Sequence, residues 1–475
     1  MTRAEAPGPR RRLRTIAAVV AAAAVAAGGA RLAGVDVLPQ LQPPSTIDVQ
    51  DATREAASPA PTGQPLQPLV ADPVAGDAAL SPWPIGAWHA SDAAPVRPRA
   101  DAAAVWTGPC SGGREPPACG VALVWGGATR HVSGVRVHSD GAAYSPAADR
   151  WWEIPAAPLR STSPLPAVWA DERLIVWGGV DAAGLTADPA AVRAAAGAVY
   201  DPVAGTWELL PAAPISGRSG HVLAWTGDEV VVWGGGRRAV DGSWLDLGDG
   251  AAYDPQRRVW RLLAQAPLAA RTAAAATAVA DGRVVVWGGR RGGSAAPGLP
   301  ETVATPQGAE PVAAANLLDG AVYDPAADSW EPLPQLRASA VRDPGEPVAA
   351  TLLADGDRIL LAGAFVVPWR RPVYAVHELG DRRWQLQDTP GRLLWRDATV
   401  RGGPDSLVVW GGRRTRRPRP DGVFGILGRA AWPLAEGGPP AWPGQAAVWT
   451  GDSLIVWGGH GTNDHRAGVW TATTP

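Results

Sequence analysis

The sequence predicts an all-β chain made of seven copies of one small four-stranded sheet. Three observations carry that prediction. The tetrapeptide VWGG occurs six times, at Val124–Gly127, Val176–Gly179, Val232–Gly235, Val286–Gly289, Val409–Gly412 and Val456–Gly459, and a degenerate copy, Leu361–Ala364, stands between the fourth and fifth. The Trp-to-Trp spacings are 52, 56 and 54 residues, then 75, 48 and 47 when Ala362 is counted as the fifth equivalent; the long interval contains an insertion at Arg290–Asn316. Tyrosine precedes tryptophan by seven residues at Tyr144/Trp151, Tyr200/Trp207, Tyr253/Trp260 and Tyr323/Trp330; His377/Trp384 keeps the interval and Phe424/Trp432 is one longer. Self-similarity near fifty residues marks an array or ring of supersecondary units.

Taken in order, residues 1–30 read as a secretory signal or an N-terminal membrane anchor. Arg10, Arg11, Arg12 and Arg14 precede the Ala/Val-rich run Ile16–Ala30. A basic stretch before a short apolar run is the export pattern, and the run falls short of the roughly 20 residues of a membrane span. The chain beyond it is expected outside the cytoplasm, secreted or held by that segment. Residues 31–80, rich in Pro, Ala, Gln and Asp, read as a disordered linker. The repeats fill 81–475.

The cleanest repeat is Arg218–Trp260. Arg218–His221 opens a strand running to Trp225, Thr226–Asp228 turns, and Val230–Trp233 is a continuous β-branched strand expecting cover on both faces. Gly234–Gly235 ends it, a loop runs to Asp249, and Gly250–Tyr253 forms a third strand. Asp254-Pro255 starts a turn and Trp260 opens the fourth strand. Such four-stranded units, arranged radially, make a β-propeller. Ala467–Thr471 aligns with third strands, so the seventh blade lacks a fourth strand of its own. Trp88 precedes Pro95 by seven residues and Arg99 by eleven, the intervals that Trp207 and Trp260 keep to Pro214/Arg218 and Pro267/Arg271. Trp88–Ser91 is therefore expected to complete the last blade and close the ring.

The unit R-x-x-H … V-V-W-G-G … Y-D-P … W resembles the Kelch repeat, as in Kelch and galactose-oxidase-like β-propellers. The resemblance covers about 81–475 and is fullest in copies one to four. The Arg-x-x-His pair is complete only at Arg218/His221, whereas Arg99, Arg160 and Arg271 keep the arginine alone. It implies a seven-bladed Kelch-type propeller. Copper radical chemistry, which that family's oxidases perform with two tyrosines, two histidines and a cysteine thioether, fits poorly. Four of five tyrosines occupy the YDP or YSP station, and the two cysteines lie together. No cofactor and no metal is expected. Cys110 and Cys119, a close pair in an exported chain, read as a disulfide.

Loops between strands two and three leave each sheet on the face of the blade-to-blade links, here called upper. The long insertions fall there: Val180–Gly197, Gly236–Gly250, Arg290–Asp319 and Arg413–Asp421. Three begin with paired arginines, Arg237-Arg238, Arg290-Arg291 and Arg413-Arg414. At equivalent stations these would form a partial cationic ring able to grip carboxylate, sulfate or phosphate, with Asp241, Asp246 and Asp249 as local counter-charges. Trp244 is the candidate exposed aromatic contact. His460 and His465 bound the densest polar cluster and are candidate ligand-binding residues, without the spacing of a metal motif. The VWGG tryptophans are expected between blades rather than on ligands.

No catalytic constellation is legible. A net charge of −2 gives no reason to expect nucleic acid, and a monomer is expected. The composite expectation is an exported binding module acting on a protein or glycan, anionic ligands included. The alternative is an extracytoplasmic enzyme of the Kelch propeller type: a sugar-acid mutarotase, a glutaminyl cyclase or a copper radical oxidase.

Overall fold

The computed structural model describes residues 85–131, 134–159, 165–179, 197–239, 243–291, 315–334, 350–366, 372–388, 399–402, 406–411, 422–426, 430–460, 462 and 464–472. All belong to the compact unit Val70–Pro475. The two N-terminal segments read as signal and linker lie outside the described residues, as do Arg160, Asp241, Arg413 and Arg414. Among the described residues there is no helix, and none long and apolar enough to cross a membrane.

The chain is an all-β propeller. Its strands form seven four-stranded antiparallel sheets. The third sheet is representative: Val222–Trp225, Val230–Trp233, Gly250–Asp254 and Val259–Leu262 pair in that order. The first strands of successive sheets touch one another in cyclic order. They are Ala103–Trp106, Ala167–Ala170, Val222–Trp225, Ala275–Ala278, Ala350–Asp355, Thr399–Gly402 and Ala446–Trp449, and the last touches the first. In the seventh sheet the outer strand is Ala87–Ala93, paired antiparallel with Arg466–Thr471 so that Trp88 faces Trp470.

The repeated residues explain why these sheets form. The second strands, such as Val230–Trp233, are buried throughout, which is why they read as unbroken β-branched runs. The seven-residue Tyr-to-Trp interval is a hairpin register: Tyr144, Tyr200, Tyr253 and Tyr323 stand opposite Trp151, Trp207, Trp260 and Trp330. Their rings lie 4.8–5.2 Å apart between centroids. The connecting turn needs a positive φ five residues after the tyrosine, and Asp149, Gly205, Arg258 and Asp328 supply it at 44°, 68°, 58° and 47°. At two of these positions the turn aspartate also accepts the tyrosine hydroxyl, Asp149 at 2.8 Å and Asp328 at 2.7 Å.

Neighbouring sheets are joined by tryptophan. Fourth-strand indoles donate to a carbonyl of the preceding sheet's outer edge: Trp151 to Asp92, Trp207 to Pro155, Trp260 to Pro211, Trp330 to Ala264 and Trp384 to Pro334, at 2.7–3.0 Å. Four of the same rings pack on the buried VWGG tryptophan of the sheet before: Trp151 on Trp457, Trp207 on Trp125, Trp260 on Trp177 and Trp330 on Trp233. Burial of an indole between sheets contributes several kcal/mol (about 3–5 by deletion in cores), so the motif tryptophan is an inter-sheet filler. Cys110 and Cys119 form a disulfide in the loop between the first two strands of sheet one.

Candidate functional site

The links entering sheets one, three and four each carry one arginine, Arg99, Arg218 and Arg271, and each is buried and fully engaged. Arg218 donates to both oxygens of Asp249 (2.7 and 3.0 Å) and to the carbonyl of Gly234 (3.2 Å). Arg271 does the same with Asp319 (2.7 and 3.0 Å) and Gly288 (3.0 Å). Arg99 does so with Asp140 (2.5 and 3.4 Å) and Gly126 (3.3 Å). The backbone carbonyl of the same arginine accepts from the second glycine of the preceding sheet: Arg99 from Gly459, Arg218 from Gly179 and Arg271 from Gly235, each at 2.8 Å. One residue thus ties the glycine pairs of two sheets together. Burial alone would raise the carboxyls of Asp140 and Asp249, but the guanidinium bonds outweigh it and hold both below the ordinary carboxylate range.

This clip accounts for the glycine pair. Gly235 has φ of 88°, and a Cβ there would meet the Ser219 carbonyl at 2.9 Å. The N–H that a phosphate loop would offer to a ligand is taken by an arginine carbonyl. It also extends the counter-charge assignment: Asp249 is bonded to Arg218, while the charge of the loop arginine Arg237 acts on it as well. The sequence held a signal for this, an aspartate immediately before the third-strand glycine at Asp140, Asp249, Asp319 and Asp421.

The upper loops contain short antiparallel ribbons. Ala128–His131 pairs with Gly134–Val137, Gly236–Arg238 with Trp244–Asp246, and Arg290–Arg291 with Ala315–Asn316. Their anchoring bridges, Ala100 to Ala128, Ser219 to Gly236 and Thr272 to Arg290, set the alignment between sheets. Arg290 therefore aligns with Gly236, and Arg291 with Arg237. The extra glycine at Gly236 puts the two arginine pairs one residue out of phase, and a one-residue shift turns side chains to the opposite face of a ribbon. Arg237 and Arg290 are half-buried, each with an Nε that is buried without a hydrogen-bond partner, whereas Arg291 is exposed. Trp244 lies back over Gly236 and donates to Asp246 at 2.9 Å. His465 gives its carbonyl to the Trp457 indole at 3.1 Å, and Asp464 is tied to Arg466.

His460 has a partner that the sequence reading missed. Its Nε2 lies 3.7 Å from Asp101 Oδ2. Asp101 occupies the second position after the link arginine, a station that is left-handed wherever it is described: Asp101 at 57°, Gly220 at 62° and Ala273 at 54°, with Gly444 at 72° in sheet seven. These stations are also bonded sheet to sheet, Asp101 N–H to the Gly444 carbonyl (2.8 Å) and Ala273 N–H to the Gly220 carbonyl (2.7 Å). They lie just ahead of the first strands, at the upper end of the ring. Asp101 is the one charged residue among the four. Its Oδ2 is buried without a hydrogen-bond donor. Burial pushes its carboxyl up, and the nearby His460 and Arg130 only partly offset this. A perturbed carboxyl beside an imidazole at the end of a propeller is an arrangement associated with ligand sites.

No protein family's sequence profile matches the chain, and no curated protein matches it. Among solved structures, the chain is similar to YjhT at 16% sequence identity, with a TM-score of 0.43, over 64% of this chain and 88% of that one. The class defined by fold and site is a β-propeller with a carboxylate–imidazole pair at its upper end.

Proposed function

We propose that this chain is an exported, seven-bladed Kelch-type propeller, closed by its N-terminal strand, that binds a hydroxyl-rich ligand such as a glycan at the upper junction of sheets seven and one. The observation that carries the reading is the buried, donor-less Oδ2 of Asp101 beside His460. A buried acceptor left without a partner costs about 1–3 kcal/mol, and a sugar hydroxyl seated there would supply the missing donor. The imidazole offers a second polar contact, and the upper-loop arginines Arg237, Arg238, Arg290 and Arg291 would favour ligands bearing carboxylate or sulfate groups, as would Arg413 and Arg414, which the sequence alone assigns to such a loop. Export is supported by the basic-then-apolar start of the chain and by the Cys110–Cys119 bond.

The test is a glycan-binding screen of the wild type, Asp101→Asn and His460→Ala. Asparagine tolerates the left-handed backbone, so the first variant alters chemistry with little strain. Loss of at least tenfold in affinity in either variant is expected. A hit bound equally well by all three proteins, or no hit at all, removes the proposal. The raised carboxyl of Asp101 next to an imidazole also supports an enzymatic reading, in which the pair would move a proton on the bound sugar. Conversion of a bound glycan by the wild type but not by Asp101→Asn separates that reading from simple binding.

A further inference from the structure

We propose that the upper ribbon of sheet one binds a divalent transition-metal ion between His131 and His138. The ribbon's register places Thr129 opposite Arg136 and His131 opposite Gly134, with the His138 N–H bonded to the Gly127 carbonyl. With side chains alternating along each strand, Thr129, His131, Arg136 and His138 share one face. Both imidazoles turn the same nitrogen to the same atom. His138 Nε2 lies 2.9 Å from Thr129 Oγ1, and His131 Nε2 lies 3.5 Å from it. A threonine hydroxyl has a single proton to donate, so it can satisfy only one imidazole lone pair.

On its other side His138 faces a carboxylate, though not within hydrogen-bond distance. Its Nδ1 lies 3.8 Å from Asp140 Oδ1, and Asp140 is itself fixed by Arg99. The charge of a carboxylate behind Nδ1 favours the tautomer protonated there and leaves the Nε2 lone pair facing the shared point; hydrogen-bonded carboxylate–histidine pairs orient metal ligands in this way. Both nitrogens lie within 3.5 Å of the Thr129 hydroxyl oxygen, so an ion seated beside that oxygen would be reached by both imidazoles on rotation to the ~2.1 Å of a metal–imidazole bond. The Thr129 hydroxyl and water would complete the shell.

Charge and ligand type select the ion. Among the described residues there is no group of three or more His, Cys, Asp or Glu placed to hold a metal, so affinity rests on two imidazoles. Arg136 shares their face and Arg99 lies behind His138, which disfavours cations held only by electrostatics. Calcium and magnesium need several oxygen ligands and are excluded on that ground, whereas Cu2+, Ni2+ and Zn2+ form strong bonds to imidazole nitrogen.

The experiment is isothermal titration of the full chain, prepared without a polyhistidine tag, with Cu2+, Ni2+, Zn2+ and Ca2+. The variants are His131→Ala, His138→Ala and, as a control, His460→Ala with His465→Ala. His131 is exposed, so its replacement leaves the fold intact even where His138→Ala does not. One equivalent of Cu2+ or Ni2+ at micromolar affinity, weakened at least tenfold by His131→Ala and unchanged in the control, is the expected result. A nitrogen-coordinated Cu2+ signal in electron paramagnetic resonance should lose nitrogen coupling in the same variant. Absence of binding, calcium binding as tight as copper, or affinity unchanged in His131→Ala overturns the proposal.

Discussion

Acid should loosen the seam between sheets two and three through His221, the one complete Arg-x-x-His pair. The ring is 6% exposed, stands edge-on to Trp177 and abuts Gly178, and neither of its nitrogens has a hydrogen-bond partner. Burial first, and the Arg218 guanidinium second, depress its pKa from 6.5 to about 3; the nearby backbone of Trp177 and Arg218 offsets only part of this. The imidazole is therefore neutral in the fold and protonatable in the unfolded chain. Between pH 6.5 and 3 the unfolded state binds more protons, so stability falls as the pH drops through that window. By pH 5 the difference amounts to about 2 kcal/mol. Replacing His221 with Phe keeps a planar ring and removes the titration. Urea unfolding at pH 7.5 and pH 5.0 reads the effect: the wild type should lose about 2 kcal/mol more than the variant over that interval. His138, lowered to about 4 mainly by burial, adds acid sensitivity to both proteins and cancels in the comparison. Equal losses in the two proteins would show that His221 is solvated or paired and would refute the reasoning.

Replacing Arg218 with Met removes two carboxylate bonds and leaves the Gly234 carbonyl short of a donor, which should cost about 3 kcal/mol in denaturant unfolding; a loss under half that would dissolve the clip. Gly235→Ala combines a positive φ with a 2.9 Å approach to the Ser219 carbonyl, so a drop in melting temperature far larger than for Gly227→Ala, whose Cβ meets nothing within 4 Å, is expected. Reducing Cys110–Cys119, separated by 9 residues, should lower stability by about 2–3 kcal/mol on the chain-entropy scale if unfolding includes that loop. Alkylation of the unreduced protein, followed by intact mass, should label no thiol.

Much of the scaffold is readable because its physics repeats. The Tyr-to-Trp interval is a hairpin register, the VWGG run is a strand buried on both faces, and each recurs often enough to be seen without coordinates. The site is harder to read because it depends on departures from the repeat. Asp101 belongs to no motif; its meaning comes from a left-handed station whose other described occupants are Gly220, Ala273 and Gly444. Its partner His460 lies more than three hundred residues away in sequence and meets it only where the last sheet adjoins the first. Matching the arginine pairs to one another equated Arg237 with Arg290, whereas counting from the glycine pairs puts Gly236 at the Arg290 position, and the bridges bear out that count. Asp249 is near the loop arginines in sequence and feels the charge of Arg237, but its bonded partner is Arg218, which reaches it from 31 residues away and which nearness in sequence does not reveal.

The left-handed station shows how this scaffold constrains where chemistry can appear. The backbone there is fixed by two demands: the arginine before it must enter the clip, and its own N–H must reach the carbonyl of the station in the sheet before, as Asp101 does to Gly444 and Ala273 to Gly220. Those demands set φ but leave the side chain unspecified. Glycine and asparagine meet a positive φ at least cost, and aspartate more readily than most residues. Alanine at Ala273 shows that the surrounding sheets can impose the conformation on a residue that does not favour it. A polar residue placed here enters a rigid, pre-formed position at the upper end of the ring, so a single substitution there, without any rebuilding of a loop, is enough to create or remove a functional group. If that holds, Gly220→Asp should fold with at most a modest loss of stability, because Asp101 already adopts the same backbone. Collapse of that variant would mean that the stations are not equivalent and that the geometry around Asp101 is peculiar to the junction of the last sheet with the first.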